Sequence, residues 1–154
     1  MKPEQFLDLL VPAAQACQRT SGIPASFTLA QAALESSWGA RAPGNNLFGV
    51  KADKSWKGET VMVKTHEEYV KGVLAPITCG FRAYRTYGEC LADRVEFFRR
   101  NPRYSECFKE VTGHGWAMAV ARAGYATDKA YADKLIAVIN GRNMTRFDKL
   151  PAEA

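Results

Sequence analysis

Side chains that bind metals are scarce in this chain. It has two histidines, His66 and His114, and four cysteines, Cys17, Cys79, Cys90 and Cys107, with no close pair such as CxxC and no zinc-like spacing. No metal and no cofactor are therefore expected. The cysteines read as buried free thiols, with one or two disulfides as the alternative in an oxidising space. An apolar run of transmembrane length is also missing, which argues against membrane insertion. The opening residues, MKPEQFLDLLVPAAQACQRTSG, show no signal peptide, because Asp8 and Pro12 interrupt their apolar residues. The basic residues form no tract. A formal net charge of +5 suits an anionic partner, but scattered charge without a recognition motif argues against nucleic acid.

The residues that are present suit one domain, 1–154, which at 47% hydrophobic and 24% charged can bury a core without staples. Phe6, Leu9, Leu10, Ala13, Ala14 and Cys17 recur at helical spacing and predict an amphipathic first helix. The next helix is the informative one. In LAQAALESSW, from Leu29 to Trp38, one ionisable side chain, Glu35, interrupts an apolar run. Pro24 suits the first turn of this helix, and Gly39, Pro43 and Gly44 end it, so Glu35 falls in the last turn. Ala30, Ala33, Leu34 and Ser37 share a stripe with Glu35 at its edge, so the carboxyl is expected half inside the core. Apolar neighbours and the negative end of a helix both favour a neutral carboxyl, the state that a general acid needs. An ordinary surface glutamate is the competing reading.

Residues 42–48, rich in Pro, Gly and Asn, read as loop. Between Val50 and Tyr84 helical periodicity gives way to alternation, as in Glu59 to Thr65, and predicts two or three short antiparallel strands in a β-lobe. There Trp56 reads as an aromatic prop more than as a sugar platform. Of the adjacent pair Glu67 and Glu68, only one can face a cleft. An unbroken register from Val61 and Val63 puts Glu67 on their side and Glu68 on the other; solvation of both is the alternative. Leu91, Val95 and Phe98 then mark a helix that stops at Asn101-Pro102. Tyr104 and Phe108 suit a short helix, and Trp116, Ala119, Val120 and Ala123 another. A loop through Tyr125 leads to a last helix with a core side of Tyr131, Leu135 and Val138 or Ile139, capped by Thr127 or Asp128. The tail from Arg142 reads as polar and loosely held.

The motifs LAQAALESSWGA, NNLFGVKA, SWKG, THEEYVKG, FRAYRTY, NPRY and AGYATDKAYADKL stand in the order found in endo-β-N-acetylglucosaminidases of glycoside hydrolase family 73. The sequence resembles that family over Gln5 to Asn140, above all the glucosaminidase domain of flagellar-rod peptidoglycan hydrolases. The resemblance implies an α+β, lysozyme-like fold with a mainly helical body, a small β-lobe and a cleft between them. It also implies hydrolysis of the β-1,4 bond between N-acetylglucosamine and N-acetylmuramic acid in peptidoglycan glycan strands. Glu35 would be the acid, Glu68 the base and Tyr125 the group beside the acid and the N-acetyl group. Trp38, Asn46 and Phe48 would border the substrate, though Asn46 equally suits a turn that caps its own backbone. A monomer made in the cytoplasm and acting in the periplasm or wall after release or export, such as a phage endolysin, is the expected setting. A muramidase, a lytic transglycosylase and a non-catalytic wall-binding module are the rival readings.

Overall fold

The computed structural model describes residues 1–152 apart from Lys71, and for 66–70 the backbone alone. The first helix, α1 (Pro3–Ser21), buries Phe6, Leu7, Leu10, Ala14 and Cys17. Leu9, expected inward, is 58% exposed because the apolar stripe has its margin at Leu7 rather than on the Leu9 side. Helix α2 (Ala25–Ser36) is the centre of the body, buried from Ala25 through Ala33 and packed by α1 and by the helices that follow. A helix apolar nearly all round belongs inside a core. Any polar side chain on it then needs an internal partner or an opening.

Helix α2 starts at Pro24 with no cap of its own. The missing partner comes from the far end of the chain: Asp148 accepts from the Ser26 backbone N–H at 2.7 Å and from its hydroxyl at 2.6 Å. The tail is thus not loosely held. Its 3-10 segment, Met144–Asp148, has Met144 fully buried, and Gln15 and Gln18 of α1 donate to the Phe147 and Asp148 carbonyls. The polar tail residues that suggested solvent are there to satisfy helix ends.

The β-lobe is one hairpin with longer strands than expected, β1 (Thr60–Val70) and β2 (Val73–Arg82). They pair antiparallel with Thr60 opposite Arg82 and Glu68 opposite Leu74, and an isolated bridge joins Lys51 to Phe81. Along β1, Val61, Val63 and Thr65 are half-buried, whereas Met62 and Lys64 are exposed. At the base of the hairpin the ladder is extended by Ala83 N–H to the Glu59 carbonyl at 2.9 Å, and Tyr84 N–H to the Gly44 carbonyl at 2.7 Å ties it to the loop after α2. Trp56 props that base: its indole donates to the Glu59 carbonyl, its edge meets Tyr84, and the Arg82 guanidinium covers its face.

Helix α3 (Tyr87–Arg100), capped by Thr86, buries Leu91, Val95 and Phe98 as the periodicity predicts. A 3-10 segment, Pro102–Lys109, and helix α4 (Gly113–Arg122) follow. Gly113 has no substitute, since a Cβ there would lie 2.1 Å from the Ser26 hydroxyl of α2. In the last helix, α5 (Tyr131–Gly141), the buried side is Tyr131, Leu135 and Ile139. Asp128 serves its start by accepting from the Ala130 N–H. The result is a mainly helical α+β body with a hairpin at one side and a groove at their junction. All four cysteines are free, three of them buried.

Replacing Asp148 with Ala should remove the acceptor of the Ser26 N–H and hydroxyl, leaving only Gln18 Oε1 on the Ala25 N–H to cap the first turn of α2. The expected loss is about 1–2 kcal/mol, read as a fall in Tm of roughly 3–8 °C in thermal unfolding.

Candidate active site

Three positions after the start of α2, a polar line begins on one face: Thr28, Gln31 and Glu35, spaced three and four apart. Thr28 and Gln31 are fully buried, and Glu35 emerges at the surface. The expected half-buried carboxyl is therefore corrected to an exposed one. The reason lies just beyond it, where Ser37, Trp38 and Gly39 all have positive φ (51°, 56° and 84°) and turn the chain left-handed. Two of these are not glycine, at about 1–2 kcal/mol of strain each. The turn is held by Trp38 N–H on the Ala33 carbonyl, Gly39 N–H on the Ser36 hydroxyl and Arg41 N–H on the Ser36 carbonyl. It ends the helix one residue past Glu35 and leaves its carboxyl on the rim of the groove.

That groove, about 490 Å³, is lined by Glu35, Phe48, Tyr125 and Arg94 together with Asp53 and Arg82 from the lobe side. Glu35 is thus exposed into a trench rather than onto an open face. The Tyr131 hydroxyl donates to Glu35 Oε1 at 2.7 Å, and the ring of Tyr125 stacks on that of Tyr131 with centroids 5.6 Å apart and planes 15° from parallel. Burial first, then the nearby Glu35 carboxylate, pushes both phenols well above their ordinary range. Both stay protonated and remain hydrogen-bond donors through the neutral range.

The sequence reading brings Glu35, Tyr125 and Phe48 together here, but not every residue it named. Asn46 is 2% exposed, and its side chain serves the backbone: Nδ2 donates to the Val50 and Arg82 carbonyls, both at 2.9 Å, and Oδ1 accepts from the Val50 N–H. Of its two readings, the backbone cap is the one observed. Trp38 packs edge-on against Phe6, with the Arg142 guanidinium 5.6 Å above its ring, away from the residues that line the groove. The side chains of Glu67 and Glu68 lie outside the described residues. By backbone register Glu68 is eight residues past Thr60 at the hairpin base, about 27 Å along a strand.

Three participants escaped the sequence reading. Tyr131 passed for a core residue because its ring is one. Arg94 is 2% exposed and lies in phase with Leu91, Val95 and Phe98. Its guanidinium sits 4.8–4.9 Å from the ring centres of Phe27, Phe48 and Phe98. A charge on the apolar face of a helix was the signal that could have found it. Gln31, in the middle of an apolar helix, was the third.

A groove between a helical body and a β-lobe, with a carboxyl on its wall and aromatic side chains around it, defines a lysozyme-like glycoside hydrolase. The family model described as mannosyl-glycoprotein endo-beta-N-acetylglucosaminidase matches residues 11–144, and the chain belongs to this glucosaminidase family, glycoside hydrolase family 73. It is 42% identical over 143 residues to the peptidoglycan hydrolase FlgJ of Salmonella typhimurium, covering 88% of this chain and 45% of that protein. It is 36% identical over 153 residues to the exo-glucosaminidase LytG of Bacillus subtilis, covering 94% and 53%. The chain spans about half the length of these curated relatives. The solved glycoside hydrolase domain of Salmonella typhimurium FlgJ superposes with a TM-score of 0.81 at 38% identity, over 95% of this chain and 91% of that one. No helix among the described residues is long and apolar enough to cross a membrane.

If Asn46 only braces the backbone, Asn46→Ala should cost roughly 2–4 kcal/mol for three lost bonds to buried groups. Tm should drop by roughly 5–15 °C, while kcat of the folded fraction stays within about threefold.

Proposed function

We propose that the groove binds a glycan strand of bacterial peptidoglycan and that Glu35 protonates the bridging oxygen of the β-1,4 bond that follows N-acetylglucosamine. The observation that carries this reading is the Tyr131 hydroxyl held 2.7 Å from Glu35 Oε1 on the groove wall. One carboxyl oxygen is engaged and the other is free to deliver a proton to a bound sugar. Phe48 and Tyr125 line the groove beside Glu35, where they border the bound sugar.

Cleavage also needs a group to deal with the oxocarbenium-like centre. In the first route Glu68 activates a water. An inverting pair stands roughly 6.5–9.5 Å apart, so this route requires the Glu68 carboxyl to come that close to Glu35 when glycan is bound. The second route is favoured by the position of Tyr125, which lines the groove with Glu35. There the 2-acetamido group of the substrate attacks the anomeric carbon itself, with Tyr125 orienting it, and Glu68 contributes little.

Glu35→Gln should abolish release of soluble fragments, with kcat down by at least about a thousandfold, while circular dichroism remains unchanged; retained lysis would defeat the assignment. Mass spectrometry of wall digests should find N-acetylglucosamine at the new reducing ends, whereas muramic or anhydromuramic ends would favour the rival enzymes. Glu68→Gln should lose about a hundredfold or more on the first route and stay near normal on the second.

A further inference from the structure

Beneath Glu35 runs a chain of side-chain hydrogen bonds whose direction is fixed at its far end. Arg94 Nε donates to Gln31 Oε1 at 2.8 Å, Gln31 Nε2 donates to the Tyr131 hydroxyl at 3.0 Å, and that hydroxyl donates to Glu35 Oε1 at 2.7 Å. A guanidinium has no acceptor, so Gln31 must present its oxygen to Arg94 and its amino group to Tyr131. Tyr131 has one proton, and with its oxygen already accepting, that proton is directed at Glu35. With Glu35 ionised, no other arrangement of hydrogens satisfies all three bonds.

The buried cation at the start of the chain lacks ordinary compensation. Arg94 Nη1 donates to the Thr28 hydroxyl at 3.2 Å, and Nη2 has no hydrogen-bond partner among the described residues. The adjacent Asp93 turns away to Arg82 and the Tyr84 hydroxyl. Three aromatic faces and a polar chain that ends on a carboxyl are what surround the charge. A buried charge without a counterion is costly in a fold, and here its polarisation runs through two neutral groups to the reacting acid.

We infer that Arg94 is a positioning residue, which through Gln31 and Tyr131 locks Glu35 Oε1 as an acceptor and confines the transferable proton to Oε2. This rests on the reading of Glu35 as the general acid. The same bond supports the carboxylate after the proton has left. Among the described residues, the other charged or titratable groups around Glu35 are Lys51 and Asp53 ahead of β1, Arg82 on β2, Arg94 on α3, Tyr104 in the 3-10 segment, Tyr125 in the loop and Tyr131 on α5. Asp53 is held low, chiefly by Ser55, and the three phenols are held high by burial.

The test uses the whole chain on purified peptidoglycan, with pH–rate profiles and Tm measured for each variant. Gln31→Glu is nearly isosteric and keeps an acceptor for Arg94, but it offers Tyr131 an acceptor instead of a donor and draws its proton away from Glu35. Tyr131→Phe removes that proton outright. Both should lose about tenfold or more in kcat at the plateau, and the alkaline limb should move to higher pH, because the support for the charged form is gone. Arg94→Met should behave likewise, and Arg94→Lys, which restores charge and a donor, should recover part of the loss. An unmoved limb in folded Gln31→Glu and Tyr131→Phe enzymes, beside an inactive Glu35→Gln, would overturn the relay and leave the acid intact. An active Glu35→Gln would overturn both.

Discussion

The site depends on a single constraint: helix α2 is buried on nearly all sides, and its one polar line has to leave the core somewhere. Thr28 and Gln31 are satisfied inside, by Arg94 and Tyr131, and Glu35 comes out where the left-handed turn of Ser37, Trp38 and Gly39 stops the helix. The position of the carboxyl is thus set by packing along twelve residues of helix rather than by a loop. A reacting group built on a rigid element is held more closely than one on a flexible segment.

The surrounding elements can be understood by what they do for that helix. Asp148 reaches back from the end of the chain to cap its start, Gly113 lets α4 come against it, and α5 brings Tyr131 to its end. On the lobe side Arg82 ties the hairpin to α3 through Asp93, and Asn46 ties the loop after α2 to the hairpin base. The groove lies between these two sets of contacts, so its width depends on how the hairpin sits on the body.

Much of this was legible in the sequence, because apolar periodicity is strong in the helices and alternation is strong from Glu59 to Thr65. Glu35 stood out as the one ionisable residue in an apolar run, and Tyr125 as a tyrosine in a loop. The parts that were not legible involve pairs far apart in the chain. Tyr131 meets Glu35 across 96 positions and Asp148 meets Ser26 across 122, and no local pattern announces either. Leu9 and the tail were misread for a related reason: which margin of an amphipathic stripe is covered, and whether a polar tail finds helix ends to satisfy, are decided by tertiary partners. Glu35 itself was placed correctly along the helix but expected too deep, since the turn that exposes it uses non-glycine residues in a conformation the sequence does not advertise.

The most direct test of the account is a crystal structure of the unmodified enzyme with a thio-linked peptidoglycan tetrasaccharide, which binds as substrate does but resists cleavage. The account predicts the glycan lying in the groove, with the bridging sulfur within about 3.5 Å of Glu35 Oε2 and Oε1 still occupied by the Tyr131 hydroxyl. A glycan bound elsewhere, or a bridging atom facing Oε1 with Tyr131 displaced, would contradict it.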